Sequence, residues 1–414
     1  MLPVGIELPS HMGNADEHGS ANGSENGNNG GGTEGAVSGG GSDEATGGER
    51  IGDDGGGNDE TGGGTYFARL VDREALASYL EAELGSVDDY DVRYHQEGHS
   101  NETLFVTWGA RELVVRRPPP GEIADTAHDV LREYRVIDAL QGTDARIPKT
   151  VLASEDEDVM GSDFYVMERV EGDVPREAEP DRFAIAEYRQ QVGEELVDAL
   201  CEIHAVDVEA VGLDEFGYPD GYTERQVERW GKQYAWAMEV TIDERPLPGL
   251  DAVGEWLDAN CPAEYPHTLV HGDYKLDNVI YAPGVPPKLV SVFDWELSTL
   301  GDPRADVGWM LSYWRDSGDP DPAIPELTAT FMERAGYPTR GELVDRYEQR
   351  SGTDFEHQRF YRALAVYKLG ALGEMFFRRY LEGNSDDPMY PLMDERVPAL
   401  VDRARGIIEG EEPL

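Results

Sequence analysis

The stretch Leu269-Val-His-Gly-Asp-Tyr-Lys-Leu-Asp-Asn-Val-Ile-Tyr281 constrains this chain more than any other. Asp273 is followed five residues later by Asn278, at the start of a β-like run. Held in a loop, Asp273 is free to accept a proton from a hydroxyl nucleophile, while Asn278 can point a carbonyl oxygen at a hard cation. Phosphoryl transfer needs that pair: a positioned base, and an oxygen ligand that holds Mg²⁺ between phosphates. Asp294 follows within Leu289-Val-Ser-Val-Phe-Asp-Trp-Glu296. The runs Asn278–Ala282 and Lys288–Phe293 read as a hairpin around Gly284-Val-Pro-Pro287. That hairpin returns Asp294 to the region of Asn278, where it can complete the metal site. Further on, Gly301-Asp-Pro-Arg-Ala-Asp-Val-Gly-Trp309 puts Pro303 where a helix can begin.

Around this stretch the chain divides into three parts. Residues 1–64 hold 21 of the 48 glycines, 12 acids and the single base Arg50. Such a leader cannot bury enough apolar surface to offset chain entropy and is expected to be disordered, reaching about 45 Å as a Gly-rich coil. It reads as a solubilising segment, with Met12 available as an alternative start. The remaining 350 or so residues exceed what one core comfortably supports, so two lobes are expected. Over 65–171 a helix near 71–85 precedes short β-like runs at Tyr90–Glu97, Glu102–Gly109, Arg111–Arg117 and Phe164–Val170, interrupted by a helix over Thr126–Leu140. From 172 to 414 the signal turns helical. Tyr188, Val192, Leu196, Leu200 and Ile203 recur at helix spacing, and the segment Gly217–Gln226 is placed beside the acceptor.

Charge and cysteines narrow the class. There are 84 Asp+Glu against 35 Lys+Arg, a formal net charge of -49, and only five of the bases are lysines. Acid excess with lysine depletion along the whole chain points to a halophilic interior, where high salt screens the self-repulsion. The same charge argues against nucleic acid or an anionic membrane as partner. No apolar run approaches the roughly 18 residues of a membrane span, and MLPVGIELPS lacks the basic start of a secretory signal. Two cysteines, Cys201 and Cys261, make no disulfide framework. A cytoplasmic protein is expected. His95 and His99 have a spacing that suits zinc only on a helix, and the β pattern around Gly98 argues against one.

His271-Gly-Asp-x-x-x-x-Asn278 followed by Asp294 resembles the catalytic loop and metal-binding Asp of the protein-kinase-like fold. The HGD form and the downstream GDPxxD are similar to those of the aminoglycoside phosphotransferase family, closest to its kinase-like modules associated with acyl-CoA dehydrogenases. The resemblance implies an α+β, bilobal fold with a small β-rich N-lobe carrying one helix and a larger, mainly helical C-lobe. It implies Mg²⁺-dependent transfer of the ATP γ-phosphate to a hydroxyl of a small molecule, with ATP and Mg²⁺ as cofactors. Asp273 would be the base, with Lys275 near the transferred phosphate, and Asn278 and Asp294 the metal ligands. Gln96–Thr103 resembles the phosphate-covering loop, with Gly98, Ser100 and Asn101 as contacts. Arg116, or in second place Arg117, stands where protein kinases carry a Lys, and Glu133 matches its helical partner. Tyr165–Gly172 resembles the hinge, with the Glu168 carbonyl and Val170 amide meeting a purine. Asp306 and His271 match residues that brace and pack the loop. The branch implies a hydroxyacyl-CoA-like acceptor, the wider family an aminoglycoside or amino sugar. A pseudokinase that binds nucleotide without turnover is the reading of another class, and ATP against GTP stays open.

Overall fold

In a computed structural model, residues 63–95, 101–120, 129–247, 249–385 and 387–414 are described. Gly98, Ser100 and His99 lie outside them, as does the leader up to residue 62. The described residues open on helix α1, Gly63–Leu70. Helix α2, Arg73–Leu84, is opened by Asp72, whose carboxylate accepts from the amides of Glu74 and Ala75. Its Leu76 and Leu80, one turn apart, are fully buried.

Three strands follow: β1 Tyr90–His95, β2 Glu102–Trp108 and β3 Arg111–Arg117. Helix α3, Val130–Ala139, then precedes β4 Thr150–Ser154, the short α4 Glu157–Met160 and β5 Phe164–Glu168. The five strands form one antiparallel sheet in the order β1-β2-β3-β5-β4. The period of two decides what each face does. Leu104, Val106, Leu113, Val115 and Val166 pack with α2 in one apolar core. Arg116, opposite Thr103 and Tyr165 in the register, belongs to the other face. Strand β4 was absent from the sequence expectation.

The rest of the chain is mainly helical: α5 Ala186–His204, α6 Tyr222–Thr241 and α7 Leu250–Ala259. Short strands β6 Thr268–Val270, β7 Val279–Tyr281, β8 Leu289–Val292 and β9 Thr299–Gly301 interrupt it. They form two ribbons, β6 with β9 and β7 with β8, the second being the expected hairpin. Helices α8 Arg304–Tyr313, α9 Arg340–Ser351, α10 Gln358–Leu381 and α11 Met393–Glu409 complete the chain. Helix α10 is buried around its whole circumference from Phe360 to Phe377 and packs against α6, α8 and α11. Where α8 crosses it, a Cβ on Gly308 would lie 2.7 Å from the Tyr361 carbonyl oxygen, so only glycine permits that approach. The larger core also takes in Val130, Val136 and Ile137 of α3 together with Tyr165. Helix α3 therefore tethers the sheet to the helical part, directly above the loop after β6.

Candidate active site

The loop from His271 to Asn278 leaves β6 and ends on β7, so both of its ends are fixed by strand pairing. Its start is held by Asp306, in the first turn of α8. One carboxylate oxygen accepts from the His271 amide at 2.7 Å, the other from the Gly272 amide at 2.8 Å. His204 adds a third bond at 3.2 Å. Asp306 is 1% exposed; burial opposes its charge, yet the bonds from His204 and the loop hold its pKa below the usual carboxylate range. Gly272 has φ +83, and a Cβ there would lie 2.6 Å from the Leu297 carbonyl oxygen. His271 is fully buried, packs on Trp295 and bonds the Phe293 carbonyl at 3.0 Å; burial lowers its pKa.

Asp273 sits at the centre. The Trp309 indole N–H donates to one of its oxygens at 2.7 Å. Lys275 and the Asn278 amide donate to the other at 2.5 and 2.8 Å. Burial would raise its pKa, but Lys275 and Lys368 prevail and hold it below the normal value. Lys275, 3% exposed, is thus partnered with Asp273 rather than standing free in the cleft. The sequence offers Trp309 as a packing residue of the helical lobe and not as a partner of Asp273, although it lies one helical turn beyond Asp306 on the same face of α8.

The hairpin brings the second acid into place, since the Phe293 amide donates to the Asn278 carbonyl at 3.0 Å. Asp294 follows with φ 69, a left-handed conformation that Asp tolerates better than most residues. Burial first, with repulsion from Glu133 and Asp273 against the pull of Arg116, raises its pKa to about 6. Arg116 lies 3.5 Å from Glu133 and 3.6 Å from Asp294, while its other nitrogen donates to Thr103 at 3.1 Å. Glu133 accepts from the Trp295 amide at 3.2 Å. Arg117 faces away and donates to the carbonyls of Leu70, Met160 and Pro118. The two arginines diverge because adjacent strand residues point to opposite faces.

Oδ1 of Asn278 is buried without a hydrogen-bond partner, while Oδ1 of Asp294 and Oε2 of Glu133 make no hydrogen bond and meet one Nη of Arg116 only at ion-pair distance. The Asn278 and Asp294 oxygens suit a hard cation and the guanidinium a phosphate oxygen, so this donor set fits a metal–phosphate group. No group of three or more His, Cys, Asp or Glu side chains among the described residues could hold a metal by itself. The phosphates would have to complete the shell. Both amide atoms of Asn101, 3% exposed beside β2, also lack partners among the described residues.

Glu168 ends β5; its amide donates to the Lys149 carbonyl at 2.7 Å, and its side chain pairs with Lys149 and Arg111. Val170 lies in the link beyond. That link is pinned to the hairpin by reciprocal bonds of 2.9 Å between Asp173 and Tyr281. The loop also borders, through Gly272, a cavity of about 540 Å³ formed by α3, α6, α8, α10 and the segment before α6. Gly217, Tyr218, Tyr222, Arg225 and Gln226 line it, together with Glu296 and Trp309.

The profile of the phosphotransferase enzyme family matches residues 91–343. The chain belongs to that family. A structure from Ralstonia eutropha assigned to the aminoglycoside phosphotransferases superposes with a TM-score of 0.71 at 29% identity, covering 82% of this chain and 99% of that one. The GDP complex of aminoglycoside 2'-phosphotransferase-IIIa shares the fold at 15% identity, with a TM-score of 0.54 over 80% of this chain and 99% of that one. Among curated proteins, acyl-CoA dehydrogenase family member 11 of Rattus norvegicus is 33% identical over 76% of this phosphotransferase. Family member 10 of Mus musculus is 32% identical over the same share. The phosphotransferase spans 40% of the rat protein and 29% of the mouse one. No helix among its described residues is long and apolar enough to cross a membrane.

Proposed function

We propose that this phosphotransferase carries the γ-phosphoryl group of ATP to a hydroxyl of a hydroxyacyl-CoA-like metabolite, with Mg²⁺. The observation that carries the reading is the buried corner beside Asp273, where Oδ1 of Asn278 has no hydrogen-bond partner and Asp294 meets Arg116 only at ion-pair distance. Asn278 and Asp294 would hold the cation, whose chemistry is to neutralise charge on the phosphates. Arg116, kept in place by Glu133 and charged despite its burial, would grip a phosphate oxygen with its planar fork. Asn101, with Gly98 and Ser100 of the preceding loop, would cover the phosphates. Glu168 and Val170 would meet the base.

Asp273 is a weak base, because three donors already share its oxygens. A weak base suffices here, since the loose transition state asks for little proton abstraction before the phosphoryl group moves. Its work is to orient the acceptor hydroxyl, while Lys275, beside it, offers a cation to the transferred group. The acceptor class draws support from the names of the rat and mouse relatives and from the cavity, whose lining includes Arg132, Arg225, Arg229 and Lys368. The second reading is an aminoglycoside acceptor, supported by a fold neighbour solved with kanamycin, but that cationic lining opposes it.

The test is Asp273→Asn, assayed by ADP release with a hydroxyacyl-CoA and with kanamycin as acceptors. The variant should lose about 10²–10⁴-fold in kcat while binding nucleotide within a few-fold of wild type. Full activity would remove Asp273 from the chemistry. Nucleotide binding with no turnover by wild type would make the protein a pseudokinase.

A further inference from the structure

Lys368 of α10 and Arg229 of α6 both lie against the indole of Trp230. The Lys368 ammonium is 3.7 Å from the Trp309 ring centroid and 5.4 Å from that of Trp230; the Arg229 guanidinium is 5.2 Å from Trp230. Lys368 is 9% exposed and donates to the Gly272 carbonyl at 2.8 Å, which places it against the catalytic loop. Burial first, with Lys275 and Arg229 against the pull of Asp273 and Asp306, lowers its pKa to about 8. Burial lowers the pKa of Arg229 as well.

Elsewhere in this acid-rich chain most arginines sit in ion pairs, as do Arg146, Arg189, Arg340 and Arg346. In the cavity they do not. Among the described residues no carboxylate lies within ion-pair distance of Arg229, Lys368, Arg132 or Arg225. Arg132 and Arg225 spend their donors on backbone carbonyls. Two of the acids that line the cavity are engaged elsewhere, Asp306 on the loop amides and Asp129 on the first turn of α3. A buried ammonium and a half-buried guanidinium with no carboxylate at ion-pair distance are costly unless an anion joins them.

We infer that Lys368 and Arg229 form a seat for a phosphate-class group of the acceptor, held across Trp230 beside the catalytic loop. A doubly charged group matches two cations, and the guanidinium fork with the ammonium offers donors to separate oxygens. The inference deepens the phosphotransfer reading and rests on it for calling this cavity the acceptor side. The phosphate could come from the nucleotide tail of a CoA ester or from a phosphorylated sugar.

Two matched acceptor pairs separate these sources: a hydroxybutyryl thioester of CoA against that of pantetheine, and glucosamine phosphate against glucosamine. Wild type should show a KM about 10–100-fold lower for the phosphate-bearing member of one pair, and that pair names the source. Arg229→Gln should collapse the ratio within the pair, and Arg229→Lys should keep most of it, with circular dichroism confirming the fold of each. A ratio near one in wild type for both pairs, or a ratio that survives in Arg229→Gln, overturns the seat. If wild type transfers phosphate to none of these acceptors, calorimetry with CoA and inorganic pyrophosphate decides. Binding lost in Arg229→Gln keeps the seat while the phosphotransfer reading falls, and absence of binding overturns the seat.

Discussion

Replacing Asp306 with alanine tests the reasoning on loop geometry in energetic terms. Its two oxygens accept from the amides of His271, which is buried, and Gly272, which is half-buried, at 2.7 and 2.8 Å. Alanine leaves the buried donor without a partner at about 1–3 kcal/mol and the half-buried one, beside the cavity, at about 1 kcal/mol, so about 2–4 kcal/mol in total. Asp306→Asn keeps one acceptor oxygen but turns an NH₂ toward the second amide, and should cost about half as much. Asp72 supplies the internal reference, since it also accepts from two amides, those of Glu74 and Ala75, but at an exposed helix start. Asp72→Ala should cost only ~1 kcal/mol, because water replaces the lost acceptor. Urea unfolding followed by tryptophan fluorescence reads these differences, taken from the transition of the helical part in case the two lobes melt separately. A loss below ~1 kcal/mol for Asp306→Ala would refute the reasoning and mean that the ribbon of β6 and β9 holds the loop without it.

Two further outcomes follow from packing and charge. Gly308→Ala should destabilise by about 2 kcal/mol or more, although alanine gains ~1 kcal/mol in helix propensity, because the added Cβ meets the α10 backbone at 2.7 Å; a more stable variant by thermal melting would contradict this. Lys368 has a folded pKa of about 8, below the 10.4 of a free lysine, so the unfolded chain holds the proton where the folded one has lost it. Wild-type stability relative to Lys368→Met should therefore rise between pH 8 and 10.5, by up to about 3 kcal/mol, with Asp273, Asp306, Lys275 and Arg229 as the charges facing it. A flat difference in melting temperature across that range would contradict the buried charge.

Local patterns carried much of this architecture into the sequence. Strands β2 and β3 show as short runs rich in Val, Leu, Phe and Thr, and the hairpin of β7 and β8 is marked by its Gly-Val-Pro-Pro turn. The spacing of Asp273, Asn278 and Asp294 is legible because one loop and one hairpin build that corner. Strand β4 escaped notice: Thr150-Val-Leu-Ala-Ser154 is short, and its irregular pairing with β5 breaks the alternation. Helix α1 begins inside the Gly-rich stretch, where composition hides it. The choice of Arg116 over Arg117 needed the face of the sheet, which a strand sequence states only once its partners are known. Lys275 was placed in the right loop, but its bond to Asp273 is a side-chain choice that spacing does not encode. The meeting of Arg229 and Lys368 could not be read at all, because it depends on how α6 and α10 cross, with the two residues 139 positions apart in the chain.

Calorimetric titration of ATP with and without Mg²⁺, on wild type and Asp294→Ala in molar KCl, tests the central claim most directly. The account predicts wild-type binding that tightens with Mg²⁺, and a variant in which that gain is lost. Equal affinity with and without Mg²⁺ in wild type, or a gain that survives in Asp294→Ala, would contradict it.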